Sequence, residues 1–316
     1  MMGKWTAADI PDLSGKSAIV TGANAGLGFY TGLELARHGA EVTLACRNRE
    51  RGERARAELR RRVPAGDLAL RILDVANLDS VRAFADEYLS DHPGLDILVN
   101  NAGVMATPYT LTPDGFELQF ATNYLGHFAL TGLLLPALLA RPGARVVNLT
   151  TFGVNYWGKI DFNNLQGERK YNKSAAYTQA KMANLVFAKE LSRRYAERGL
   201  IGVAAHPGYA VTDVLYVGPR MTNNKIQEFW YRLTTAIVAK PTAQGAWPSL
   251  YAACAPGVEP GESYAPQGPG QIRGRTGKVK TPARAEDPVL GLRLWDVSED
   301  LTGVSYELTV PKTKGP

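Results

Sequence analysis

Short, mostly apolar runs alternate with longer helical stretches, and this rhythm narrows the fold more than any other feature of the chain. Ser17–Thr21 (SAIVT), Glu41–Ala45 (EVTLA), Leu68–Leu73, Asp96–Val99, Ala144–Leu149 and Ile201–Ala205 read as strands. Between them lie a helix over 27–38 stopped by Gly39, a charged helix running to about Arg62, and a long helix from Ser174 to Arg198 ended by Gly199. Strands joined by helices predict an α/β fold, a doubly wound and mostly parallel sheet with helices on both faces. The 316 residues fit a single such domain over 1–316, with a lid-like segment at about 212–240 and a C-terminal extension at about 256–316. Within the extension one short strand is expected near Ser263–Ala265. A terminal helix is expected inside Thr281–Gly303, with Leu290, Leu292, Leu294, Trp295 and Val297 available for packing. The last residues, PKTKGP, read as a frayed tail.

Composition excludes several classes. The formal charge is +6, but the basic residues are scattered, and a cluster such as Arg60-Arg61-Arg62 reads as a solvated helix face. No nucleic-acid partner is expected. Cys46 and Cys254 are far apart and give neither a disulfide framework nor metal-ligand spacing. No metal is expected, and the usage suits a reducing cytoplasm. The first eleven residues lack the apolar core of a signal peptide. The most apolar run, Leu130–Ala140, contains Pro136 and is too short to cross a bilayer, so it reads as a buried helix end.

Thr21–Gly28 (TGANAGLG) follows a strand and opens a helix. Gly22, Gly26 and Gly28 let the backbone turn tightly and approach a pyrophosphate, which the N–H groups and dipole of the helix N-terminus then favour. Asn24 and Leu27 lie in the same loop. This is a Rossmann-type nucleotide loop, although any strand-to-helix turn can carry glycines. The second strand ends Ala45-Cys46-Arg47-Asn48, where an NAD site usually places an acid to accept from the ribose 2′-OH. Arg47, with Asn48 beside it, instead suits a 2′-phosphate, so NADP(H) is the expected cofactor. The plainer alternative is an exposed arginine beginning a charged helix. Cys46 next to Arg47 is read as a small structural residue, with a lowered thiol pKa as the alternative.

Tyr177 and Lys181, in YTQAK, stand four apart and share a helix face. A tyrosine of pKa about 10 is a poor base until a nearby ammonium stabilises its phenolate. An aromatic core residue with a lysine one turn on would look the same. The order of motifs goes further. TGANAGLG, Asp74-Val75, NNAG at Asn100–Gly103, YTQAK and His206-Pro207-Gly208 together resemble the short-chain dehydrogenase/reductase family along nearly the whole chain. TNYLGHFALT (Thr122–Thr131), ACRN, the long gap before the tyrosine and RLWDVSEDLTG resemble its retinol-dehydrogenase-like branch.

The resemblance implies roles. Gly22, Gly26 and Gly28 would hold the pyrophosphate, Asp74 and Val75 would meet the adenine, and Asn101, Ala102 and Gly103 would line the adenosine ribose. Pro207, Gly208 and the segment to Thr212 would contact the nicotinamide end. Asn123 would fix a water linking Lys181 to solvent, and Lys181 would also bind the nicotinamide ribose. The family's usual serine pair at the end of the fifth strand is here Thr150-Thr151. Thr151 would hydrogen-bond the substrate carbonyl, keeping the hydroxyl but adding a methyl group and a stiffer χ1. Two β-branched residues also simply suit a strand end. His127 and His206 read as structural.

The expected reaction is hydride transfer between nicotinamide and a carbonyl or alcohol carbon of an apolar small molecule, with Tyr177 exchanging the proton. The apolar substrate is expected from Val214, Leu215, Tyr216, Phe229, Trp230, Tyr231, Leu233 and Ile237, which read either as a lid or as a core-facing amphipathic helix. The alternatives are a non-catalytic NADPH-binding or scaffold protein, and a C=C reductase. Substrate, direction, stereochemistry and any homo-oligomer stay open.

Overall fold

The computed structural model describes residues 5–210, 217–218, 221–222 and 241–306. The chain begins β1 (Ser17–Thr21), α1 (Gly26–Arg37), β2 (Glu41–Cys46), α2 (Arg49–Arg62), β3 (Leu68–Ile72), α3 (Leu78–Asp91) and β4 (Ile97–Asn100). A helical stretch follows in pieces: α4 (Leu118–Phe120), a π-helical turn (Ala121–Leu125), α5 (Gly126–Leu133) and α6 (Leu135–Leu139). Then come β5 (Arg145–Leu149), α7 (Val154–Trp157), α8 (Lys173–Tyr195) and β6 (Ile201–Ala205). The C-terminal part supplies α9 (Thr242–Gly245), α10 (Trp247–Cys254), β7 (Ser263–Pro266), β8 (Thr276–Lys278) and α11 (Pro288–Thr302).

Among the described residues the strands form one eight-stranded sheet in the order β3-β2-β1-β4-β5-β6-β7-β8. Every neighbouring pair is parallel except β7 and β8. The sheet carries an apolar layer on each face. One layer gathers Phe84, Phe128, Phe187 and Trp295 from α3, α5, α8 and α11. The other gathers Leu33, Leu59 and Leu250 from α1, α2 and α10. The strand order reverses between β1 and β4, and a crevice at the carboxyl ends of the strands is the usual consequence.

Side-chain caps fix several helix starts. Asn48 accepts from Arg51 N at 2.9 Å, Asn77 from Asp79 N at 2.9 Å, and Asn172 from Ser174 N at 3.0 Å. Helix α8 ends through a short 3-10 turn at Gly199, whose φ of 82° is left-handed. Every residue of α8 from Thr178 to Ser192 is buried, because it lies under the sheet on one side and against α11 on the other.

The expected doubly wound architecture is present, with strand limits within two residues of the sequence reading. Two details differ. Thr276–Lys278 forms an antiparallel edge strand on β7 that the sequence did not announce. Leu292 is half exposed, because Leu294 and Trp295 take the buried face of α11. The lid-like segment at 212–240, apart from 217–218 and 221–222, and the PKTKGP tail lie outside the described residues.

Candidate active site

The carboxyl ends of β1 to β6 open into a cleft of about 530 Å³. Its lining includes Gly22, Asn24, Gly26 and Leu27 of the glycine loop, Arg47, Asp74 and Val75 after β2 and β3, and Thr151, Tyr177 and Lys181 from the end of β5 and from α8. The glycine loop is shaped for close approach. Gly22 has a φ of 66°. A Cβ on Gly28 would stand 2.5 Å from the Asn101 amide nitrogen and 2.6 Å from the Gly22 carbonyl oxygen. Helix α1 starts without a side-chain cap and with no acid in its first turn, which leaves its N–H groups and positive dipole end for an anionic ligand. These features fit a dinucleotide pyrophosphate.

Arg47 stands exposed at the end of β2, and Arg51, one turn into α2, lines the same cleft. Four arginines of α2 are engaged within their own helix. Arg54, Arg56, Arg61 and Arg62 pair with Glu50, Glu53 and Glu58 of their own helix. Among the described residues neither Arg47 nor Arg51 makes such a pair. Cys46 is fully buried, and burial pushes its thiol up to about 11, so the structural reading of that residue stands.

The same cleft brings Tyr177, Lys181 and Thr151 together. Tyr177 is partly buried, and its surroundings push the phenol up to about 12, with the Thr151 hydroxyl pulling the other way. Lys181 is buried at 5% exposure, and desolvation brings its ammonium down to about 8. Its Nζ donates to the Leu149 carbonyl at 3.0 Å. A side chain at position 103 would collide with Asn123, because a Cβ there would stand 2.8 Å from its Oδ1. The two threonines divide. Thr150 donates its hydroxyl to the Lys181 carbonyl at 2.8 Å, so it braces α8, while Thr151 faces Tyr177.

Asn123 lies behind this wall, fully buried in the π-helical turn. Its side chain accepts from Val104 N at 2.8 Å and donates to Val104 O at 3.0 Å. Its own carbonyl is met by His127 Nδ1 at 3.2 Å. A carbonyl can only accept, so Nδ1 carries the proton and Nε2 takes the Thr21 O–H across 2.9 Å. Burial and the Lys181 charge push His127 down to about 3. The ring is therefore a neutral strut between β1 and the π turn. His206 is likewise neutral, pushed down to about 4, and accepts at Nδ1 from Gly208 N at 3.2 Å.

A sequence profile of short chain dehydrogenases matches residues 16–218. The chain belongs to the short-chain dehydrogenase family. This short-chain dehydrogenase is 39% identical over 295 residues to retinol dehydrogenase 12 of Mus musculus, covering 93% of the chain and 89% of that relative. A solved structure of an uncharacterised protein from Mycobacterium paratuberculosis matches it at 39% identity and a TM-score of 0.79, over 97% of this chain and 100% of the other. L-Sorbose reductase from Gluconobacter frateurii, solved with NADPH and L-sorbose, shares the fold at 20% identity and a TM-score of 0.64, over 81% of this chain and 95% of its own. Membership makes the dehydrogenase an NAD(P)-dependent oxidoreductase of the retinol-dehydrogenase-like branch.

Of the residues singled out in the sequence, most line the dehydrogenase's cleft, including Asn101, Ala102, Gly103, Pro207 and Gly208. Gly28, Asn48 and Asn123 stand just behind it, Asn48 as the cap of α2. Thr212 lies outside the described residues. Arg51 was not foreseen, because in a helix with seven arginines nothing in its spelling separates it from its neighbours. No group of three or more His, Cys, Asp or Glu side chains suited to a metal occurs among the described residues, and no described helix is long and apolar enough to cross a membrane.

Proposed function

We propose that the protein is an NADP(H)-dependent carbonyl reductase or alcohol dehydrogenase acting on an apolar small molecule, as one domain over residues 1–316. The observation that carries this reading is the layout of one cleft. Thr151, Tyr177 and Lys181 line the same cleft as the glycine loop at the start of α1 and as Arg47 and Arg51. The nicotinamide cofactor supplies or accepts the hydride when bound. The chain's own residues do the rest. Gly22, Gly26 and the start of α1 hold the pyrophosphate, and the two guanidiniums hold the 2′-phosphate.

Thr151 donates to the substrate oxygen and fixes its direction. Tyr177 gives its proton to that oxygen in reduction and takes it back in oxidation. Lys181 places a positive charge one helical turn away, which favours the phenolate against the burial that raises the phenol. Because the phenol is pushed up, it stays protonated through the neutral range, which favours the reductive role there. Trp157, 69% exposed on the cleft wall beside Phe152, supports an apolar and flat substrate.

The test is NADPH turnover with a panel of aryl and medium-chain aldehydes and ketones, run on wild type and on two Thr151 variants. Thr151→Ser should stay active. Thr151→Val keeps the branched shape, deletes the hydroxyl, and should lose at least about 10-fold in kcat, as expected when a hydrogen bond of about 1.5 kcal/mol is lost. Thr150 offers no substitute while its hydroxyl is bound to the Lys181 carbonyl. A fully active Val variant, or no turnover of any carbonyl by wild type, would overturn the reading.

A further inference from the structure

Three residues of α8 share one stripe at intervals of four and three: Tyr177, Lys181 and Asn184. Asn184 is fully buried within α8. Both hydrogens of its amide are engaged. Nδ2 donates to the Asn123 carbonyl of the π turn at 2.8 Å and to the Leu149 carbonyl at the end of β5 at 3.0 Å. Its Oδ1 has no partner among the described residues. A buried acceptor left unpaired is costly, so the amide is held here for what its two N–H groups do.

The Leu149 carbonyl is shared. It accepts from Asn184 Nδ2 and from Lys181 Nζ, each at 3.0 Å. A carbonyl oxygen has two lone pairs, and together these donors fill both. The π turn bears on this as well, since such turns redirect backbone carbonyls out of the regular helical ladder. The Asn123 carbonyl accepts from Asn184 and from His127 Nδ1.

We propose that Asn184 is a positioning residue for Lys181: by saturating the Asn123 carbonyl and one lone pair of Leu149, it leaves the ammonium a single acceptor direction and keeps its other donors towards the cleft. This rests on the reading of Lys181 as the cationic partner of Tyr177. Without the amide, two carbonyls lose a donor, and the nearest mobile donor is the Lys181 ammonium. It would gain acceptors, hold its proton more tightly and turn away from Tyr177. The titratable groups around it are Tyr177 on its own helix and neutral His127 from α5. Among the described residues, neither of these makes an ion pair with Lys181.

The test reads the lysine directly, without cofactor. Protein with 13Cε-labelled lysine is titrated by NMR, and the Lys181 signal is assigned by its loss in Lys181→Met. In Asn184→Leu the Lys181 midpoint should rise by about one pH unit. Asn184→Ser keeps one donor and should give a smaller rise of the same sign; it decides the matter if the Leu variant does not fold. A midpoint equal to wild type in the folded variant overturns the proposal. The pH profile of alcohol oxidation is measured on the same variants and should move upward with little change in KM. A shifted lysine with an unmoved profile would leave the clamp standing and overturn instead the pairing of Lys181 with Tyr177.

Discussion

Tyr177→Phe should lower turnover at least about 100-fold, the lower end of the range for loss of a general acid or base. The substitution removes one oxygen and keeps the ring, so the packing of α8 against the sheet is untouched. The lost oxygen is the one that the Thr151 hydroxyl meets, and among the described residues no other phenol lines the cleft except Tyr209, two residues beyond Pro207. Coenzyme binding, followed by quenching of protein fluorescence, should stay within about threefold of wild type, because only the chemical step is removed. Wild-type reduction should be level across neutral pH and fall in the alkaline range as the phenol loses its proton. Oxidation should rise with pH over the same interval. Near-normal turnover in the Phe variant would remove Tyr177 from the mechanism while leaving the fold and cofactor cleft as described.

The coenzyme preference should depend on two guanidiniums. NADPH carries a 2′-phosphate that NADH lacks, and a charge-assisted contact contributes about 1.5–3 kcal/mol, or roughly 10- to 150-fold in affinity. Arg47→Ala should therefore weaken NADPH by that factor and leave NADH nearly unchanged. Arg51→Ala should act in the same sense, and the double variant should bind the two coenzymes about equally. The wild-type preference should shrink with added salt, since both side chains are exposed and screened, and the double variant should lose that dependence. Titration of all four proteins with each coenzyme at two ionic strengths checks this. Tighter binding of NADH than of NADPH by wild type would overturn the cofactor assignment alone.

Where packing and local chemistry coincide, the sequence was readable. Val42, Leu44, Val146 and Val147 lie in apolar runs because their strands are covered on both faces, and burial of that kind leaves a compositional trace. The glycine loop and the Tyr177–Lys181 spacing were readable because backbone approach and helix periodicity each restrict residue type. Other features leave no such trace. Strand β8 is Thr-Gly-Lys, and only its pairing with β7 makes it a strand. Leu292 and Leu294 look equivalent in sequence, yet the helical phase set by Trp295 exposes one and buries the other. Asn184 reads as one polar residue inside MANLVFAK, and its meaning comes from carbonyls 61 and 35 residues away. The division of labour between Thr150 and Thr151 is equally a matter of direction, which a pair of identical letters does not carry.

Helix α8 has no solvent face along the fifteen positions from Thr178 to Ser192. A lysine and an asparagine are thus cast into the same mould as Leu185, Val186 and Phe187. Shifting the reacting pair by even a fraction of an ångström means repacking the sheet and α11 together, at the cost that overfilled or cavity-bearing interiors incur. Diversification in such a molecule is therefore asymmetric. Exposed or half-buried positions on the rim, such as Phe152, Trp157 and Tyr209, can change letter by letter, while the reaction centre is inherited whole. Altering which molecules enter is a surface problem here; altering what is done to them would require rebuilding the interior.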